Sequence, residues 1–145
     1  MNTFNRYLTH FFGISMIIYC MMLILMGIDD GIKVASWMVW GGFFLVLFYV
    51  IPMTLFFYNQ AKSVQVSIIN QKENNTIVQL ENIITHKFER PVKEVKGNEM
   101  IYKRKGKYAQ WLTNPVKVIP YGERIILILP KGYKQEIVSR YIIDK

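Results

Sequence analysis

Residues 34–58 read VASWMVWGGFFLVLFYVIPMTLFFY, twenty-five positions without a charged side chain. About 20 apolar residues in helical form cross the roughly 30 Å hydrocarbon core of a bilayer, so this run spans one with slack. Just before it, residues 11–28 read FFGISMIIYCMMLILMGI, eighteen uncharged positions that barely reach. The short loop between them holds Asp29, Asp30 and Lys33, the only charges between Leu8 and Asn59. This pattern predicts a membrane hairpin over residues 1–60, with helices at about 11–28 and 34–58. A cleaved leader would need a stronger basic start than Arg6 and a small-residue cleavage site, and neither is present. Retention of the first helix is therefore expected.

Charge sets the orientation. Residues 60–145 carry 16 Lys or Arg against 8 Asp or Glu, so the tail accounts for the whole formal charge of +8. Basic segments stay on the cytoplasmic face, and the acidic hairpin tip has nothing to hold it there. The expectation is a multi-pass protein of the cell (plasma) membrane with both termini cytoplasmic. Trp37 and Trp40 then suit the outer interface and Tyr58 the inner one.

The spans offer little chemistry. Within them the polar side chains include Ser15, Tyr19, Tyr49 and Thr54, with no Asp, Glu, His, Lys or Arg to relay a proton or ion. A two-helix carrier or channel is disfavoured on that ground, short of many copies assembling around a pore. Pro52 frees the carbonyl near Phe48 and can kink its helix. Met16, Met21, Met22 and Met26 could line a Cu(I) path, but no His or Cys cluster accompanies them, so adaptable packing is the simpler account. Cys20 is the single cysteine, which excludes an intrachain disulfide and a Cys-based zinc site. Gly41-Gly42 allows close helix approach without the GxxxG spacing.

Past Tyr58 the hydrophobic period changes to two, which marks residues 61–145 as a β-rich domain. Val64, Val66 and Ile68 alternate with Ser63, Gln65 and Ser67. The polar run 71–75 is a turn. In TIVQLENIITHKFER, Val78, Leu80, Ile84 and Phe88 share one parity, so a second strand is expected, with a bulge at Asn82. Val92 and Val95 begin a short strand that ends at the turn Lys96-Gly97-Asn98. Residues 100–104 and 108–113 read as a hairpin around Lys105-Gly106-Lys107, and 116–119 with 124–129 as another around Tyr121-Gly122-Glu123. Tyr133, Ile137, Val138, Tyr141 and Ile142 form a helical stripe, predicting a closing helix at about 131–143. The expected class is a two-helix membrane hairpin plus a small α+β domain of six or seven antiparallel strands and a C-terminal helix.

The ending ERIILILPKGYKQEI, a last strand running through Pro130-Lys131 into a helix, resembles the close of a pleckstrin-homology-type domain. The whole layout is similar to small bacterial membrane proteins with a pleckstrin-homology-like (YcxB-like) cytoplasmic domain. That resemblance implies a PH-like barrel and brings no catalytic residues with it. Trp111, followed by Leu112-Thr113-Asn114-Pro115, does not fit the pattern securely.

No paired carboxylates, nucleotide-binding loop or metal-ligand cluster occurs, so neither catalysis nor a cofactor is expected. His86 falls on the apolar parity of its expected strand, where a core-edge histidine is the plainer reading than a general base. The one positive constellation is Tyr102, Lys103, Arg104, Lys105, Lys107 and Tyr108, with Trp111 close behind. Cations around a turn flanked by aromatics can meet anionic headgroups, each contributing about 1 kcal/mol near the surface. The competing account is a solvated basic edge that blocks strand-to-strand association. Nucleic acid would be drawn to the same patch, yet no nucleic-acid fold signature accompanies it. Ile, Lys and Asn usage points to a low-GC bacterium. The expectation is a non-enzymatic accessory, regulatory or immunity-type protein that binds a protein partner, a second copy or inner-leaflet lipid. The alternative is a subunit of a membrane machine such as a secretion or conjugation apparatus.

Overall fold

The computed structural model describes residues 2–29, 36–70, 75–141 and 143. The expected hairpin tip with Asp30 and Lys33, the turn at 71–74, Ile142 and the side chain of Trp37 lie outside them. The chain divides into two compact units, Met1–Tyr58 and Asn59–Lys145.

The first unit holds α1 (Thr3–Asp29, 27 residues) and α2 (Ser36–Ala61, 26 residues). At 1.5 Å per residue each is about 40 Å long, more than the hydrocarbon core requires. Both contain a stretch apolar enough to cross a membrane. α1 starts eight residues before the expected Phe11, because nothing between Thr3 and His10 breaks a helix. Ile17, Leu25, Phe44, Leu45 and Phe48 stand exposed, so the helices are apolar on their outer faces too. A helix apolar all round needs an apolar surrounding, and these are not the buried core of a water-soluble domain.

The two helices meet through aromatic contacts. Tyr7 is buried, Phe11 lies 5.2 Å from Phe57, and Phe4 meets Tyr58 edge-on at 5.7 Å. Val50 and Thr54 are buried one turn apart on α2. The Tyr19 hydroxyl donates to the Val39 carbonyl at 2.5 Å. A Cβ at Gly42 would collide with the Tyr19 ring. The glycine pair thus serves packing within the chain: Gly42 makes room for Tyr19. α2 continues through Pro52 as one helix.

The second unit is built on five antiparallel strands: β1 (Ser63–Ile69), β2 (Val92–Lys96), β3 (Glu99–Lys103), β4 (Val116–Tyr121) and β5 (Arg124–Pro130). Their order in the sheet is β1-β5-β4-β3-β2. One apolar row crosses four strands, since Leu127 pairs with both Val66 and Val118, and Val118 pairs with Met100. Gly97 and Gly122 both take φ +59 at the first position of two-residue hairpin loops, where a side chain would be strained.

Two expected strands are helical, which reduces the count of six or seven to five. Residues Thr76–Asn82 form α3, which runs on as a π-helical turn, Ile83–Lys87. The Phe88 amide bonds back to the Ile83 carbonyl at 3.0 Å. Leu80, Ile84 and Phe88 are four apart, a spacing that suits one face of a helix as well as one face of a strand. Exposure separates the two, for Leu80 is 0% exposed while Val78 is 63% exposed. The hairpin expected around Lys105-Gly106-Lys107 is also absent, because Lys107–Leu112 form α4. β3 pairs instead with β2 and β4.

The expected 131–143 helix is shorter. Lys131–Tyr133 make a 3-10 turn and Lys134–Val138 form α5. Residues 139–141 continue as a turn and bend, and Ile143 bridges Ile68 on β1. The core gathers Val66, Ile68, Leu80, Ile84, Phe88, Tyr102, Val116, Val118, Ile125, Leu127, Leu129 and Ile137. One sheet face is thereby covered by α3, the π-helical turn and α5. β1 and β2 are the sheet's edges and do not pair with each other among the described residues. The sheet is open; these five strands do not form the closed barrel that the resemblance implies.

Candidate functional site

The basic segment spans the end of β3, a bend at Gly106 (φ +91) and the start of α4. Its residues divide into three groups. Tyr102 is 1% exposed and belongs to the core, facing Val116 across the sheet. It cannot reach a headgroup. Lys103 and Arg104 are held by carboxylates: Lys103 Nζ lies 2.7 Å from Glu94 Oε1, and Arg104 Nη2 3.2 Å from Glu89 Oε2.

Lys105 and Lys107 are exposed, as is Tyr108, whose ring stacks on Trp111 at 5.7 Å. The four candidate cations therefore do not act alike. Lys105 and Lys107, beside a paired aromatic surface on α4, form the part that can meet a partner. The sequence grouped Tyr102 and Tyr108 as aromatics flanking one basic turn; in the fold Tyr102 is buried in the core and Tyr108 is exposed on α4.

Other cations are engaged in tying the domain together. Lys93 reaches Glu81 at 2.8 Å, linking β2 to α3, and Lys117 reaches Glu99 at 3.1 Å across β3 and β4. Glu136 takes Lys87 at 2.8 Å and also Arg140, joining α5 to the π-helical turn. His86 stands exposed on that turn, since helical geometry replaces the strand parity that had assigned it to the core edge. Among the described residues, no three His, Cys, Asp or Glu side chains gather as a metal site.

These pairs set a pH dependence. A hydrogen bond from Lys103 holds the Glu94 carboxyl below the usual carboxylate range, and one from Lys87 does the same for Glu136. The unfolded chain then takes up these protons more readily than the folded one as pH falls. Stability present above the ordinary carboxylate pKa of about 4.3 should be lost below it. On the alkaline side, burial raises Tyr102 and Tyr141, and a hydrogen bond to Glu81 raises Lys93. Their contribution is fully present below about pH 10 and declines above it. Urea midpoints of the second unit should therefore fall at both ends. An E94Q/E136Q double variant should show a flatter acid limb; an unchanged limb would refute the assignment.

No family description, no curated protein and no solved structure matches this chain.

Proposed function

We propose that the chain is a non-enzymatic membrane protein whose basic domain engages the anionic inner leaflet, in an accessory or regulatory capacity. The observation that carries this is the exposed pair Lys105 and Lys107 beside the stacked Tyr108 and Trp111. Only Lys62 separates membrane-length α2 from β1, so the domain is tethered close to the bilayer. The orientation proposed is both ends cytoplasmic, supported by the acidic loop and the +8 charge of the tail. The layout of two apolar helices followed by a small antiparallel domain supports kinship with bacterial PH-like membrane proteins.

Two lysines near an anionic surface contribute about 2 kcal/mol together, roughly thirtyfold in the ratio of docked to free domain. Full-length protein in nanodiscs should gain hydrogen-exchange protection over residues 104–112 as phosphatidylserine is added. High salt should reverse the gain, and K105A/K107A should remove most of it. Protection that ignores lipid charge would sink the reading. A reporter fused after Lys145 should be active only in a cytoplasmic setting; the opposite result would invert the topology.

A further inference from the structure

The second unit contains a small cavity, about 190 Å³, bounded by Arg90, Lys103, Arg104, Gln110, Thr113 and Pro115. Its lining has an unusual composition: two guanidinium groups, one ammonium, one amide and one hydroxyl, with no carboxylate among the six. The volume is below the roughly 300–1,000 Å³ typical of pockets for organic cofactors. It suits a compact oxyanion.

Three separate stretches of chain build it. Glu89 sits in the left-handed region at φ +54, turning the backbone after the π-helical turn. Arg90 follows and is only 1% exposed, its guanidinium 5.6 Å from the centre of the Tyr133 ring. β3 ends by delivering Lys103 and Arg104. α4 and the residues after it supply Gln110 and Thr113, and the Thr113 hydroxyl caps the helix by donating to the Ala109 carbonyl at 2.7 Å.

Glu89 and Glu94 engage only part of the donor capacity at the rim. Arg104 has five N–H donors. Its contact with Glu89 is through Nη2, while its buried Nε has no hydrogen-bond partner among the described residues. Guanidinium forks match the oxygens of phosphate, and the Lys103 ammonium adds a point charge beside them.

We propose that this cavity is an oxyanion site that takes a phosphate monoester group. The inference deepens the leaflet-binding reading and rests on it: Lys105 and Lys107 bring the domain to an anionic surface, and the cavity receives one phosphate. The same chemistry could come from a lipid headgroup or from a soluble phosphate compound.

The test uses full-length protein in zwitterionic nanodiscs, titrated with inorganic phosphate against chloride of matched ionic strength. Phosphate should protect amides near Arg90, Arg104 and Thr113 saturably, and chloride should not. R104Q should weaken phosphate by about tenfold or more, as expected for loss of a charge-assisted hydrogen bond. Q110L, which removes an amide donor from the lining, provides a second variant that leaves the buried Arg90 in place. K105A/K107A should leave phosphate affinity unchanged, so failure of leaflet binding and failure of the cavity are separable. Phosphatidic acid in the disc competing with inorganic phosphate would uphold the site with a headgroup as its source. Binding without such competition would uphold it with a soluble source. Protection no greater than with chloride, or equal affinity in wild type, R104Q and Q110L, would overturn the proposal.

Discussion

Replacing Phe88 by alanine should destabilise the second unit by about 3–5 kcal/mol. Phe88 is buried, and its ring lies nearly parallel to Tyr133 at 4.1 Å, with 12° between planes. It directly follows the π-helical turn, and Tyr133 ends the 3-10 turn before α5. Truncation therefore leaves a cavity where two covering segments meet. Small domains have about 5–15 kcal/mol in total, so about a fifth or more of the stability is at stake. The measurement is hydrogen exchange of the β4 and β5 amides in full-length protein under increasing urea. Phe88→Leu should recover much of the loss. Equal protection in wild type and Phe88→Ala would mean that this contact contributes nothing.

The second large effect is a contrast between positions two apart. Leu80→Ala should cost about 2–5 kcal/mol, whereas Val78→Ala should stay within about 0.5 kcal/mol. Leu80 is fully buried in the core, while the Val78 side chain points to solvent from α3. A strand over these residues would put both on one face and make both substitutions costly. The pair therefore reads out helix against strand without any new structure. Comparable losses at both positions would restore the strand.

That contrast also marks where the sequence was ambiguous. The two long apolar helices were legible because length and absence of charge suffice. The β4–β5 hairpin was legible because Gly122 lies between two short apolar runs rich in β-branched residues. At 76–88, Leu80, Ile84 and Phe88 satisfied two periods at once. The deciding residues were Ile77 and Ile83, which strand parity sends to the opposite face and which in fact pack against the same core. Counting them would have favoured the helix. At 107–112 the turn signal Lys105-Gly106-Lys107 suggested a hairpin, but Ala109, Gln110 and Leu112 are good helix formers and no β-branched residue interrupts them.

The candidate site was half legible. Composition located the cations, but pairing with Glu89 and Glu94 depends on the fold and separates Lys103 and Arg104 from Lys105 and Lys107. Arg90 gave no signal at all. It follows the run IITHKFE and reads as one more surface charge until the turn at Glu89 places it inside.

The strand order carries a consequence for biosynthesis. β1 is the first strand to be made, and its ladder partner is β5, with Ser63 opposite Pro130. While the ribosome is still adding β2, β3 and β4, β1 waits as an unpaired ribbon directly behind a helix already able to enter the bilayer. Distant pairings of this kind close slowly. Any stall or truncation before residue 124 leaves that apolar strand without its neighbour, open to association with other chains. The two units are thus ordered in time: the long apolar helices are made early, and the sheet that follows them is completed only when the fifth strand arrives.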